Sequence, residues 1–160
     1  YQGRKKRKTT NALYLTDRQG IPLAMSEPVA GNHNDLHEIE VQFEVVTATL
    51  KQADISLDGL FLNADAGFDS KNFRESCSKK EIHANICFNK RNGNTDRNEY
   101  FDQDLYNERY AVELTNAWMD SYRSLLNRYD TTTESWKGLN YLAFIVIAIK
   151  KFIKRKNIKV

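Results

Sequence analysis

Two short apolar runs with a helical stretch between them constrain the fold most. Leu60–Leu62 forms the first run and residues 84–88 form the second, while residues 70–80 have the pattern of a helix. Short continuous apolar runs are typical of strands that are buried on both faces. We therefore predict strands at these two runs, separated by a helix.

The remaining elements extend this pattern into a mixed sheet. Turn residues between two extended segments, 9–17 and 21–29, predict a hairpin. Asp35 and Glu38 have the spacing of a capping box at the start of a helix. Further helices are predicted over residues 36–53, 106–128 and 135–155, and a loop over residues 89–100. The order hairpin, helix, strand, helix, strand, helix predicts an α/β (α+β) mixed sheet with helices packed on it.

The longest apolar run, Leu139–Ile149, is too short for a membrane span, which needs ~20 residues. We predict instead a buried helix and no membrane partner, with Trp118 also in the core because it lies on an apolar stripe. Cys77 and Cys87 lack the spacing of a zinc site. They are interpreted as reduced thiols of a cytoplasmic protein.

Basic residues are concentrated at the two ends of the sequence. The ends hold 11 of the 24 Lys and Arg residues, which leaves 13 basic against 21 acidic residues between them. Such clusters suit a polyphosphate partner, because each neutralised phosphate releases counterions. The alternative is a pair of solvated tails. The candidate DNA-binding residues at the first end are Arg4, Lys5, Lys6, Arg7 and Lys8.

Residues 59–70, GLFLNADAGFDS, resemble the second acidic motif of the DDE transposases of bacterial insertion sequences. In that motif a buried strand ends in Asp, which is followed by a small or basic residue, Gly and an aromatic residue. Asp65, Ala66, Gly67 and Phe68 stand at these positions. The end of a strand is also where α/β sheets carry their functional polar groups.

The long helical stretch after the loop resembles the third motif of the same family: Tyr, two residues, Arg, three residues, Glu, six residues, Lys. Tyr106, Arg109 and Glu113 match it in type and spacing. Asp120 stands where the family has a cation, and Arg123, one turn further on, can supply that charge. On one continuous helix these residues share a face, although an ordinary solvated face with an Arg and Glu pair would look the same.

The resemblance covers nearly all of the chain and implies a ribonuclease H-like fold. The segment before residue 36 is similar to the family's link between its first and second acidic motifs. The first strand and first catalytic Asp are therefore expected upstream of Tyr1, so that the chain is part of a longer protein and inactive by itself. The expected organisation is a basic lead-in (1–8), a ribonuclease H-like core (9–130), and a C-terminal helix with a basic tail (131–160).

The resemblance also implies a chemistry. Asp65 and Glu113 are expected to be catalytic ligands of Mg²⁺ or Mn²⁺, since carboxylates suit hard divalent ions. Arg109 is expected to orient Glu113 or to bind phosphate, with Tyr106 and Arg123 in support. Two such ions would drive DNA strand cleavage and transfer. The expected partners are the transposon ends and target DNA, and the active parent is expected to be a homo-oligomer.

Two alternatives remain open. One is an inactive or domesticated DNA-binding remnant of a transposase, and the other is a two-metal nuclease of the same fold. An Asp at the end of a strand upstream of Tyr1 would favour an active transposase.

His33 and His37 have the spacing of a helical metal pair, but an ordinary helix start explains them as well, and His83 has no assigned role.

Overall fold

A computed structural model describes residues 9–93 and 100–157, without the side chains of residues 92 and 155–157. The basic lead-in, Arg4 to Lys8, lies outside the described residues. The chain divides into two compact units: the residues up to Asn11 together with Val29–Tyr110 form the first, and Ala12–Pro28 together with Ala111–Val160 form the second.

The described residues form a mixed α/β structure with short strands. Short 3-10 segments lie at Ala66–Phe68, Lys90–Asn92 and Glu108–Tyr110. In chain order the strands and helices are β1 (Thr10–Asn11), β2 (Tyr14–Thr16), β3 (Pro22–Met25), β4 (Val29–Ala30), α1 (Ile39–Gln52), β5 (Phe61–Ala64), α2 (Lys71–Ser78), β6 (His83–Ile86), α3 (Gln103–Asn107), α4 (Ala111–Asp120), α5 (Arg123–Leu126) and α6 (Thr133–Asn157).

The prediction of one mixed sheet is wrong for the described residues, because their strands form three two-stranded sheets. β1 pairs antiparallel with β4, β2 antiparallel with β3, and β5 parallel with β6. The order of elements was predicted correctly, but element order does not determine which strand edges pair.

In the first unit, β5 is less buried than its apolar sequence predicted. Phe61 is 46% exposed, and Leu60 just before the strand is also exposed. The prediction of burial on both faces is wrong, because Phe61 is exposed and the other residues of β5 are only partly buried. The Phe61 ring stacks on His83 of β6, with the two ring centroids 4.8 Å apart.

Helix α1 begins at Ile39 rather than at residue 36. The predicted capping box is wrong, because Glu38 at the N-cap has φ 50° and its side chain makes no capping hydrogen bond. The helix buries Ile39, Phe43, Val46 and Leu50 on one stripe. By contrast, the predicted start of α2 is confirmed, since the Ser70 hydroxyl accepts the N–H of Phe73.

The second unit contains the predicted hairpin, shortened to β2 and β3. Asp17 Oδ1 closes its turn by accepting the N–H groups of Gln19 and Ile21 at 2.8 and 2.7 Å. Gly20 has φ 78°, and a Cβ there would lie 2.7 Å from the Ala111 carbonyl oxygen. Glycine is therefore required where the turn meets α4.

The single helix predicted over residues 106–128 is wrong. The chain forms α3, a 3-10 segment, α4 and α5 instead. After Trp118 the Ser121 hydroxyl donates to the Trp118 carbonyl at 2.6 Å, and Tyr122 turns to an extended conformation with ψ 95°. A serine side chain that competes for a helix carbonyl disrupts the helix at this point.

Helix α6 is amphipathic, so the prediction of a buried helix over Leu139–Ile149 is wrong. One stripe enters the core of the second unit through Trp136, Ala143, Phe144 and Ile147. The opposite stripe exposes large apolar side chains: Leu142, Ile145, Val146, Ile149, Phe152 and Ile153. Within the residues that the structure describes, no helix has both the length and the apolarity to cross a membrane.

Trp118 is partly buried and packs against this core. The Lys151 ammonium lies 3.7 Å from the centroid of its ring.

Both cysteines are free, as predicted. Burial raises the pKa of the Cys77 thiol to about 12, which keeps it protonated.

The two stripes of α6 lead to a paired prediction. Ile147 is 4% exposed and Ile145 is 54% exposed. We expect Ile147→Val to lower the free energy of unfolding by about 1 kcal/mol, because a buried methyl group is lost. Ile145→Val should change it by less than ~0.5 kcal/mol. Urea unfolding of both variants is the measurement, and equal losses would show that both stripes are buried.

Tyr14 links the hairpin to α6 and predicts a pH dependence. Its hydroxyl donates to Asn140 Oδ1 at 2.6 Å. Burial, followed by the charge of Asp120, raises its pKa from 10.0 to about 12. Between these values the unfolded chain loses the Tyr14 proton and the folded chain keeps it. Below pH 10 Tyr14 therefore makes its full contribution to the free energy of unfolding. As the pH rises from 10 to about 12, that free energy falls by roughly 2 to 3 kcal/mol.

Urea unfolding at pH 9 to 12 tests this, with Tyr14→Phe as the comparison. The variant lacks the ionisable group, so its stability should fall less steeply with pH. Identical pH slopes for the two proteins would contradict the prediction.

Candidate functional site

Asp65 stands directly after the last residue of β5, at the carboxyl end of the parallel pair. A 3-10 turn follows, closed by a 2.9 Å hydrogen bond from the Phe68 N–H to the Asp65 carbonyl. The Asp65 side chain is 68% exposed. The strand thus presents a solvent-accessible carboxylate at the sheet edge where α/β proteins bind ligands.

Arg109 pairs with this carboxylate. Its Nε–H donates to Asp65 Oδ1 at 2.9 Å, and its guanidinium carbon lies 4.5 Å from the centroid of the Tyr106 ring. The hydrogen bond to Asp65, followed by the charge interaction with Tyr106, raises the pKa of Arg109 above its usual value. Burial raises the pKa of the Tyr106 phenol. The three residues bring together a carboxylate, a permanent cation and a neutral ring.

Glu113 and Arg123 belong to the second unit. Glu113 lies in the first turn of α4 and Arg123 is the first residue of α5, and both side chains are exposed. The prediction that Arg109, Glu113 and Arg123 share one face of a single helix is wrong, because they occupy three separate helical segments. Asp120 ends α4.

Asp35 is a further carboxylate, close to Gly67, whose position was not predicted. A Cβ at Gly67 would lie 2.8 Å from Asp35 Oδ2. Glycine at 67 therefore allows the Asp35 carboxylate to approach the turn that follows Asp65. The sequence favoured a helix cap for Asp35, and its proximity to Gly67 arises from tertiary structure that local patterns do not encode.

The histidines show no metal arrangement in the described ranges. His33 and His37 stack with ring centroids 3.6 Å apart. No group of three or more His, Cys, Asp or Glu side chains in the described part of the chain could hold a metal ion. The Asp65 carboxylate suits a hard divalent cation, since it is exposed and its described hydrogen bond engages only Oδ1. The Asp65 carboxylate would be one of several ligands that such a cation needs.

Comparison with known proteins identifies the family. Residues 62–150, more than half of the chain, match the family model described as a transposase DDE domain. The matched region contains Asp65, Tyr106, Arg109 and Glu113. No curated protein and no solved structure matches the chain. The chain belongs to the transposase DDE domain family.

Proposed function

We propose that the protein is a transposase that cleaves and transfers DNA strands at the ends of an insertion sequence, using Mg²⁺ or Mn²⁺. The observation that carries this proposal is the pairing of Arg109 with Asp65 at the carboxyl end of β5, inside the region that matches the DDE family. A carboxylate at that edge, beside a cation that can face phosphate, suits phosphodiester chemistry.

Asp65 and Glu113 are the proposed metal ligands, and each presents an exposed carboxylate in its own unit. A metal ion held by these carboxylates would polarise the phosphate and activate the attacking hydroxyl group. Arg109 orients the Asp65 carboxylate through Nε. Its terminal nitrogens can donate to a phosphate oxygen, because the guanidinium presents a fork of donors. The Tyr106 ring supports the guanidinium from one side.

DNA is the proposed partner, as the family implies. Arg123 is exposed at the start of α5 and is a proposed phosphate contact. The residues Arg4 to Lys8 are proposed to contact phosphates as well, since phosphate contacts supply most sequence-independent affinity. The active protein is proposed to be a homo-oligomer.

The proposed architecture is ribonuclease H-like. The parallel pair β5 and β6 with its connecting helix α2, together with the antiparallel hairpin, supports this proposal. We keep the division into a basic lead-in (1–8), a core (9–130) and a C-terminal helix with a basic tail (131–160) as part of the proposal.

The test uses the complete protein encoded by the open reading frame that contains this sequence. It is incubated with duplex DNA carrying the ends of the element and with Mg²⁺ or Mn²⁺. We expect nicks at the ends that leave 3′-hydroxyl groups, and no product in EDTA. Binding without cleavage would favour the DNA-binding remnant. Cleavage at positions unrelated to the ends of the element would favour the two-metal nuclease.

A further inference from the structure

We propose that Asn63 and Asn85 are positioning residues that dock α3 onto the parallel pair and thereby hold Arg109 against Asp65. The expected effect on catalysis rests on the proposed function. Its structural content concerns the first unit alone.

The two asparagines are neighbours across the parallel pair. Asn63 of β5 and Asn85 of β6 are register partners, and Asn85 Nδ2 donates to Asn63 Oδ1 at 2.8 Å. Asn85 is buried. Asparagine is depleted in strands, and a buried amide is destabilising unless its groups are hydrogen-bonded. The pair is therefore expected to have a specific role.

Asn85 holds the start of α3. Its Oδ1 accepts the N–H of Asp102 at 2.9 Å, and its Nδ2 donates to the Asp102 carbonyl at 3.0 Å. Asp102 in turn caps α3, because its carboxylate accepts the N–H of Leu105 at 2.9 Å. One buried side chain thus fixes both backbone groups of the capping residue.

Asn63 holds α3 at a second point, where its Nδ2 donates to the Leu105 carbonyl at 2.9 Å. Asp65 lies two residues further along the same extended chain and accepts from Arg109, four residues beyond Leu105. Two residues of strand span about 6.6 Å. The four steps from Leu105 to Arg109 cross from α3 into the 3-10 segment and together rise about 7 Å.

Because these two lengths are similar, the strand and the helical segment can form both hydrogen bonds, Asn63 to Leu105 and Arg109 to Asp65, at the same time. The Asn63 hydrogen bond sets the position of α3 along β5, and Arg109 then meets Asp65. An apolar pair at positions 63 and 85 would leave the backbone of Asp102 and the Leu105 carbonyl without these bonds. The amides therefore specify the position of Arg109.

The experiment compares Asn63→Ala with Thr47→Ala in the complete protein. Thr47 is buried in the same unit, but its hydroxyl donates only to carbonyls of its own helix, so it provides a matched destabilised control. The first readout is the NMR signal of the Arg109 Nε–H and its exchange with solvent. We expect exchange at least about 10-fold faster in Asn63→Ala and unchanged in Thr47→Ala.

The second readout is transposition frequency. We expect Asn63→Ala to lower it about 10- to 100-fold, as for residues that orient a metal ligand. Thr47→Ala should lower it only as far as its loss of folded protein predicts. If Asn63→Ala does not fold, Asn63→Asp is used, because its carboxylate has the same size and can still accept from Asn85 but cannot donate to the Leu105 carbonyl.

The outcomes separate this inference from the proposed function. An unchanged Arg109 signal in the folded Asn63 variant would overturn the positioning role. Faster exchange of that signal, combined with normal transposition by Asp65→Asn, would support the positioning role and overturn the proposed catalytic site instead.

Discussion

Asp65→Asn is expected to lower transposition by at least about 100-fold without unfolding the protein. The substitution removes the negative charge with which Asp65 is proposed to bind a divalent cation, and it retains the size of the side chain. Asp65 is largely exposed, and its pair with Arg109 is also open to solvent. Exposed ion pairs contribute about 0 to 1 kcal/mol, so the free energy of unfolding should change little.

Two companion variants sharpen this test. Asp58→Asn changes an exposed carboxylate that precedes β5 and should leave transposition unchanged. Arg109→Lys keeps the positive charge but loses the planar fork of donors, so we expect a smaller loss than for Asp65→Asn. Normal transposition frequency for Asp65→Asn, measured in cells with equal protein levels, would remove Asp65 from the site.

Arg74→Ala is expected to lower the free energy of unfolding by about 3 to 5 kcal/mol. Arg74 Nε donates to Asp69 Oδ1 at 2.9 Å, and the side chains are only 10% and 1% exposed. The guanidinium also donates to the Ala84 carbonyl at 3.3 Å and the Ile86 carbonyl at 2.7 Å. Truncation would therefore remove the Arg74 guanidinium from a buried carboxylate and from two backbone carbonyls.

Lys71→Ala is the matched control on the same helix. Lys71 faces Glu75 at 3.8 Å, in an i,i+4 pair that is exposed on both sides. Its loss should change the free energy of unfolding by less than ~0.5 kcal/mol. Urea unfolding of both variants gives the comparison. Equal, small losses would show that the Asp69 and Arg74 pair is not buried in solution.

Local sequence signals predicted the elements whose causes are local. The Ser70 cap, the turn at Asp17 and the amphipathic period of α1 depend on neighbouring residues, and their elements lie close to the predicted positions. The break at Ser121 was missed because the apolar period continues across it. The exposed stripe of α6 was missed because a continuous apolar run does not show which of its sides the fold covers.

The candidate site was predictable only where a motif carried it. The placement of Asp65 at a strand end followed from the apolar run before it. The pairing of Arg109 with Asp65, in place of the predicted orientation of Glu113, depends on how α3 docks on β5. That docking uses Asn63 and Asn85, which sequence patterns treat as unremarkable polar residues in short strands.

The central proposal is that Asp65 and Glu113 are both ligands of divalent metal ions. Mn²⁺ binding to the complete protein, followed by electron paramagnetic resonance, tests it most directly through Asp65→Asn and Glu113→Gln. We expect each variant to bind Mn²⁺ at least about 10-fold more weakly than the unsubstituted protein, because each removes a charged oxygen ligand. Unchanged Mn²⁺ affinity in either folded variant would contradict the claim.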